Sequence, residues 1–238
     1  MTATLDRRLL WDACINVRDL GGLSCRGGVI ARGRLVRGSV LGALTPAGRI
    51  PMLAHGVRTV IDVRGDNEVA ETPSPFAEGT TYRRVPLHSL RMTALHHAAH
   101  AGALEGELRA VAVAGGGLAE VFAAIANSET AILLHCAAGR DRTGLVVALV
   151  LAALGVPDEE IVADYVLSDE ALADEYARFK GANPGRAADV DDGVAKRAWV
   201  MDRTLATLRE AFGGAREYLG QAGVRSEDLA AIRAMLVT

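Results

Sequence analysis

Apolar positions along the chain fall into short, β-branched runs separated by longer stretches with helical spacing. Residues 57–63 (VRTVIDV) are brief, apolar and β-branched, the composition of a strand. Residues 131–135 (AILLH) read as a buried strand, and 81–86 as a further one. Gly27, Gly28 and Gly33 punctuate β-like pieces at Val29-Ile30 and Leu35-Val36, so an early hairpin is expected there. Helix signals bracket the strands. Thr45 is an N-cap followed by Pro46 at the first helical position, and Gly56 is a fitting stop, although Pro51 lies inside. Residues 66–71 begin a helix that Pro73 and Pro75 break. The stretch 91–127 is largely helical with an interruption at Gly115-Gly116-Gly117. Residues 143–154 form a continuous apolar helix closed by Gly155, and Pro157 precedes the acidic first turn of another. Beyond Ser168 the pattern is helical, apart from a polar break near 181–193.

Strands alternating with helices predict an α/β fold, a central and mostly parallel sheet flanked by helices. The 238 residues show no repeat and no shift of composition, so one domain over 1–238 is expected, with 158–238 as its C-terminal helical region. Half the residues are hydrophobic and the net charge is −3. That charge gives no general attraction to nucleic acid or anionic membranes. The longest apolar run, 144–156, falls short of the ~20 residues a membrane helix needs, so no stable membrane insertion is expected. Three cysteines, an odd and sparse set, fit a reducing compartment better than a disulfide framework. With no apolar signal core at the N-terminus, a cytoplasmic location is expected.

One stretch does not fit a core. HCAAGRDRTG, His135 to Gly144, crowds charge directly behind an apolar strand. Strand, tight loop and helix N-terminus together make an anion site, because unpaired backbone N–H groups converge where the helix dipole is positive. A thiol there, beside cations, ionises more readily than a free cysteine, which makes Cys136 a candidate nucleophile. Arg142 offers a planar fork for two oxygens of a tetrahedral oxyanion while the amides of Ala137, Ala138, Gly139 and Arg140 hold the others. Thr143 can give its hydroxyl to the sulfur, and Gly139 lets the backbone curl without obstruction. Asp141 is the first candidate for general acid, then for base toward water. The chemistry this permits is phosphoryl transfer to sulfur and then to water, with no metal or cofactor required. A structural thiol would explain an isolated cysteine, but not Gly139, Asp141, Arg142 and Thr143 arriving with it.

The same ten residues resemble the signature of the cysteine-dependent protein tyrosine phosphatases, His-Cys-x5-Arg-Ser/Thr. Further blocks, Asn16 to Gly22, Arg37-Gly38-Ser39, Val60 to Arg64 and Asp164 to Ser168, are similar to those of a bacterial branch, the atypical tyrosine/lipid phosphatases. The resemblance implies a phosphatase-type fold, Cys136 as nucleophile, Arg142 as phosphate clamp and Asp141 as an acid kept within the loop. It implies a phosphorylated protein or phosphoinositide substrate, with phosphotyrosine first and phosphoserine or phosphothreonine beside it. The mobile Trp-Pro-Asp loop of the eukaryotic type is missing, since neither Trp11 nor Trp199 precedes Pro-Asp. Arg140 stands where this branch often has lysine. The branch also carries a helical lid, for which helices between about 167 and 212 are the candidates.

Other residues weigh less. Asp62 and Arg64 lie at the carboxyl end of a predicted strand, where a supporting role, a reserve acid and a structural ion pair are equally weighted. Arg18 and Asp19 are read as pinning a loop. His88, His96, His97 and His100 lack carboxylate or cysteine companions and read as a solvated face, not a metal site. His135 is expected to orient the loop through hydrogen bonds. Cys14 and Cys25 are bystanders unless one protects an oxidised Cys136 as a disulfide. Competing functions are sulfur or arsenate chemistry on a similar loop, whose loop length and position differ, and a phosphopeptide-binding module without turnover.

Overall fold

A computed structural model describes residues 7–75, 80–87, 108 and 117–238. Its main sheet runs in the order β1-β4-β7-β5-β6, with β1 at Arg18–Asp19, β4 at Leu35–Gly38, β5 at Val57–Asp62, β6 at Thr81–Arg84 and β7 at Ala131–His135. β4, β7, β5 and β6 are parallel, and β1 adds an antiparallel edge. The mostly parallel sheet expected from the sequence is therefore present. The expected early hairpin is present too, but between other pieces than Val29-Ile30 and Leu35-Val36. Ser24–Cys25 (β2) pairs with Gly28–Val29 (β3), while Leu35–Gly38 joins the main sheet beside β7. Each short piece found a partner other than its nearest apolar neighbour, since β4 is buried along its whole length and belongs in the core.

β7 is central, and its residues alternate between two cores. Ile132 and Leu134 face the larger core, Ala131 and Leu133 the smaller one with Trp11, Met52 and Val57. A strand covered on both faces reads as an unbroken apolar run, which is why AILLH stood out. Helices α1 (Pro46–Ala54), α2 (Asp66–Glu71), α3 (Gly117–Ala126) and α4 (Asp141–Leu154) follow the predicted signals, with Thr45 Oγ1 accepting from Gly48 N at 3.1 Å. Gly155 ends α4 with φ +79.

The remaining helices are α5 (Asp158–Ala171), α6 (Ala173–Ala182), α7 (Ala187–Ala195), α8 (Arg197–Phe212), α9 (Ala215–Gln221) and α10 (Ser226–Leu236). The polar break expected over 181–193 shrinks to 183–186, because α7 is helical although it buries none of its residues. Most of the predicted helix over 91–127, and the four histidines from His88 to His100, lie outside the described residues. Among those described, no helix is long and apolar enough to cross a membrane.

Candidate active site

β7 ends at His135 and α4 begins at Asp141, so five residues must turn strand into helix. Gly139 makes the turn with φ +66, and a Cβ there would lie 2.1 Å from the Gly38 carbonyl oxygen. Only glycine meets both conditions. Each loop carbonyl is taken by a donor from elsewhere in the chain. Val40 N donates to Ala137 O at 2.8 Å and Asn16 Nδ2 to Ala138 O at 2.9 Å. Arg37 Nη2 donates to Gly139 O at 2.9 Å and to Arg140 O at 3.3 Å. A peptide N–H points opposite its carbonyl, so outward carbonyls turn the amides toward the inside of the loop. The amides of residues 137–142 have no acceptor among the described residues. They meet at the N-terminus of a 14-residue helix, a cup suited to an anion.

The donors themselves rest on one carboxylate. Asp164, 1% exposed on α5, accepts from Arg7 Nη1 at 2.8 Å, Arg18 Nε at 3.0 Å and Arg37 Nη1 at 2.7 Å. Arg18 in turn donates to Asn16 Oδ1. Burial pushes the Asp164 carboxyl up, but the arginines outweigh it and hold the group well below the usual carboxylate range. Burial and the neighbouring Arg37 lower Arg18 to about 10. Arg18 thus reaches the loop carrying Cys136 only through Asn16, whose Nδ2 donates to Ala138 O. Asp19 pins a different turn through Gly21 N and Gly33 N, both at 2.7 Å.

Cys136 sits deep, with 3% of the residue exposed. Arg142 is held by a residue that the sequence reading missed. Glu68 Oε1 and Oε2 accept from Arg142 Nη2 and Nη1, each at 2.5 Å. Two of the five guanidinium donors are used, and three remain. The Arg142 contact first, against burial, draws the Glu68 carboxyl down. Glu68 also closes a turn by accepting from Gly65 N at 3.0 Å. Arg64 steadies the same helix by donating to Thr72 O at 2.8 Å. Asp62, wholly buried, accepts from Arg64 Nη2 and Tyr82 OH, both at 2.7 Å. Burial raises its pKa, and the Arg64 hydrogen bonds bring it below the ordinary value. A carboxylate so occupied is an anchor for Arg64.

Asp141 occupies the first turn of α4, 29% of its side chain exposed. Arg140 Nε and Nη2 donate to its two oxygens at 2.7 and 2.9 Å. Tyr165 OH donates at 3.5 Å, and Arg197 Nη1 lies 4.0 Å away. Burial opposes ionisation here, but Arg140 outweighs it and lowers the pKa. Gly144 makes room for this arrangement, since a Cβ there would meet the Tyr165 ring at 2.5 Å. Arg140 also reaches Tyr176 OH on α6 at 2.5 Å, and Tyr176 donates to Asp169 at 2.8 Å. A cavity of about 1350 Å³ separates the loop from α6, α7 and the start of α8, with Ala138, Arg140 and Asp141 on one side and Tyr176, Phe179 and Val190 on the other.

One expectation changes, and the protective disulfide loses both of its candidates. Thr143 Oγ1 is buried without a partner, so its donation to the sulfur is not formed. Cys25 neighbours the far end of α4, where Arg26 N donates to Leu154 O, and cannot reach Cys136. Burial and Asp12 raise the Cys14 thiol to about 11, which makes it a poor nucleophile for disulfide exchange. His135 Nδ1 lies 3.0 Å from the Cys136 carbonyl and donates to it, while burial keeps the ring neutral. Among the described residues no cluster of His, Cys, Asp or Glu could hold a metal ion.

A parallel sheet with a Cys-x5-Arg loop at the carboxyl end of its central strand defines a hydrolase of the protein-tyrosine-phosphatase type. The chain belongs to the tyrosine phosphatase family, whose sequence model matches residues 9–238. It is 32% identical over 228 residues to a tyrosine-protein phosphatase of Nostoc commune, covering 90% of this chain and 77% of that protein. It is 29% identical over 252 residues to the triple specificity protein phosphatase PtpB of Mycobacterium tuberculosis, covering 86% and 91%. The crystal structure of P. aeruginosa TpbA is a slight likeness, 19% identical with a TM-score of 0.36 over 58% of this chain and 71% of that one.

Proposed function

We propose that the protein hydrolyses phosphotyrosine by a cysteine-dependent route through a phosphocysteine. The observation that carries this reading is the loop itself, whose carbonyls are all engaged outside it and whose amides face inward beside Cys136 and Arg142. Cys136 sulfur attacks phosphorus in line, the bond to the tyrosyl oxygen breaks, and Asp141 protonates the leaving oxygen. Water then attacks the phosphocysteine with Asp141 taking its proton, which releases phosphate and restores the thiolate. The amides of Ala137 to Arg140 and the three free donors of Arg142 hold the phosphoryl oxygens through both steps. His135, Asp62 and Arg64 support the loop and its surroundings. The chemistry requires no metal.

One contact must reorganise when substrate arrives. Asp141 is held ionised by Arg140, which suits the second step, whereas the first needs a proton on it. A phosphate dianion competes for Arg140 and so releases the acid. Activity on phosphoserine, phosphothreonine and phosphoinositides is proposed beside that on phosphotyrosine. The Mycobacterium relative, a triple specificity protein phosphatase by name, agrees with such breadth.

An aryl phosphate is the test substrate. Hydrolysis should persist in EDTA, be inhibited by vanadate and vanish in Cys136→Ser. If the wild-type protein hydrolyses no aryl phosphate from mildly acidic to mildly basic pH, the reading fails. A panel of phosphotyrosine peptides, phosphoserine peptides and phosphoinositides ranked by kcat/KM then sets the substrate range.

A further inference from the structure

We infer that Arg37, paired with Asp164, and Asn16, linked to the same carboxylate through Arg18, are positioning residues that set how strongly the loop binds an oxyanion and ionises Cys136. The inference rests on the reaction proposed above, but its geometry does not. Neither residue is placed among the groups that would touch substrate. Arg37 is 1% exposed and spends its guanidinium in two directions, Nη1 on Asp164 Oδ2 at 2.7 Å and Nη2 on the carbonyls of Gly139 and Arg140. Asn16 adopts φ +56, a left-handed conformation that asparagine tolerates better than most residues. In it Oδ1 accepts a hydrogen bond from Arg18 and Nδ2 donates one to Ala138 O.

The physical consequence follows from the pairing of peptide dipoles. The carbonyls of 138, 139 and 140 and the amides of 139, 140 and 141 belong to the same peptide planes. A donor that grips the carbonyl from behind therefore fixes the direction of the amide in front. Three of the cup's amides are aimed by two side chains, and both side chains trace back to one carboxylate more than 120 residues away. Asp164 neutralises arginines that would otherwise stand unpaired in the core, where their charge could not be tolerated. Thus the loop's outer scaffold and its phosphate-facing side are one hydrogen-bonded unit. Misaiming amides by a fraction of an ångström weakens their hold on both the thiolate and the phosphoryl oxygens.

The test uses the full chain with Cys14 and Cys25 changed to serine, so that only Cys136 reacts with iodoacetamide. Arg37→Lys keeps a positive charge for Asp164 but loses the fork that reaches two carbonyls. Asn16→Gly keeps the positive φ and removes the amide, so it remains foldable if Arg37→Lys does not. For each variant that retains a cooperative melt, the midpoint of alkylation rate against pH should rise by about one pH unit. Vanadate inhibition should weaken about tenfold or more, and kcat/KM for an aryl phosphate should fall on the order of 100-fold. A folded variant with the parent's alkylation midpoint and vanadate affinity overturns the inference. An inactive parent protein sinks the proposed reaction instead, and the alkylation midpoint then still decides whether these residues govern the thiol.

Discussion

At the scale of single residues, the site is a set of charges each already holding a partner. Arg142 holds Glu68, and Arg140 holds Asp141. The second pair has a consequence in pH. Arg140 lowers the pKa of Asp141, so the free enzyme carries little of the protonated acid at neutral pH. Replacing Arg140 by Met removes the first lowering influence and raises that pKa. The basic limb of kcat/KM, which reports the acid in the free enzyme, should then move to higher pH. A pH–rate profile of both proteins measures the shift. Gly139 gives a second prediction. Gly139→Ala faces about 1–2 kcal/mol of backbone strain and a carbonyl oxygen 2.1 Å from the new Cβ. The loop must open to accept it, and activity on aryl phosphate should be lost while the far ends of the sheet stay folded, as circular dichroism can check.

Elements explain what the sequence displayed and what it concealed. β7 and α4 were legible because both are buried nearly throughout, so apolar runs and end signals coincided. The cysteine, arginine and glycine between them were legible because charge after a buried strand has few structural uses. Glu68 was not, since its partner lies 74 residues away and the helix bearing it buries nothing. Helix α7 was read as part of a break for the same reason: with no buried residue there is no apolar period to see. The Asp164 network was visible only as blocks of resemblance, because separations of 127 to 157 residues leave no local pattern. Helix α5 ties these parts together, with Asp164 and Ser168 turned to the loop's arginines and Asp169 to Tyr176 and Arg197. Tyr176→Phe cuts the link between α6 and Arg140. Amide hydrogen exchange over 173–195 should quicken, with global stability changed by no more than about 1 kcal/mol.

For the molecule as a whole, the buried carboxylates join stability to pH. Asp164 and Asp62 both have folded pKa values below their ordinary ones. Their contribution is full above the unfolded value of about 3.9 and is lost as pH falls from there toward the folded values. The melting temperature should therefore hold from neutral pH to about 5 and drop steeply below about 4. Asp164→Asn keeps the shape but leaves Arg18 and Arg37 uncompensated, and should cost about 3–5 kcal/mol, measurable by denaturant unfolding. The same change should flatten the acid limb of the stability curve.

The central claim is that the sulfur of Cys136 carries the phosphoryl group between substrate and water. Rapid acid quench of the wild-type protein during turnover of an aryl phosphate, followed by peptide mass spectrometry, reads it directly. The expected result is one phosphoryl group on the peptide containing Cys136, absent in Cys136→Ser and accumulating when Asp141→Asn slows the attack of water. Turnover with no label on that peptide, or with the label on another residue, would contradict the claim.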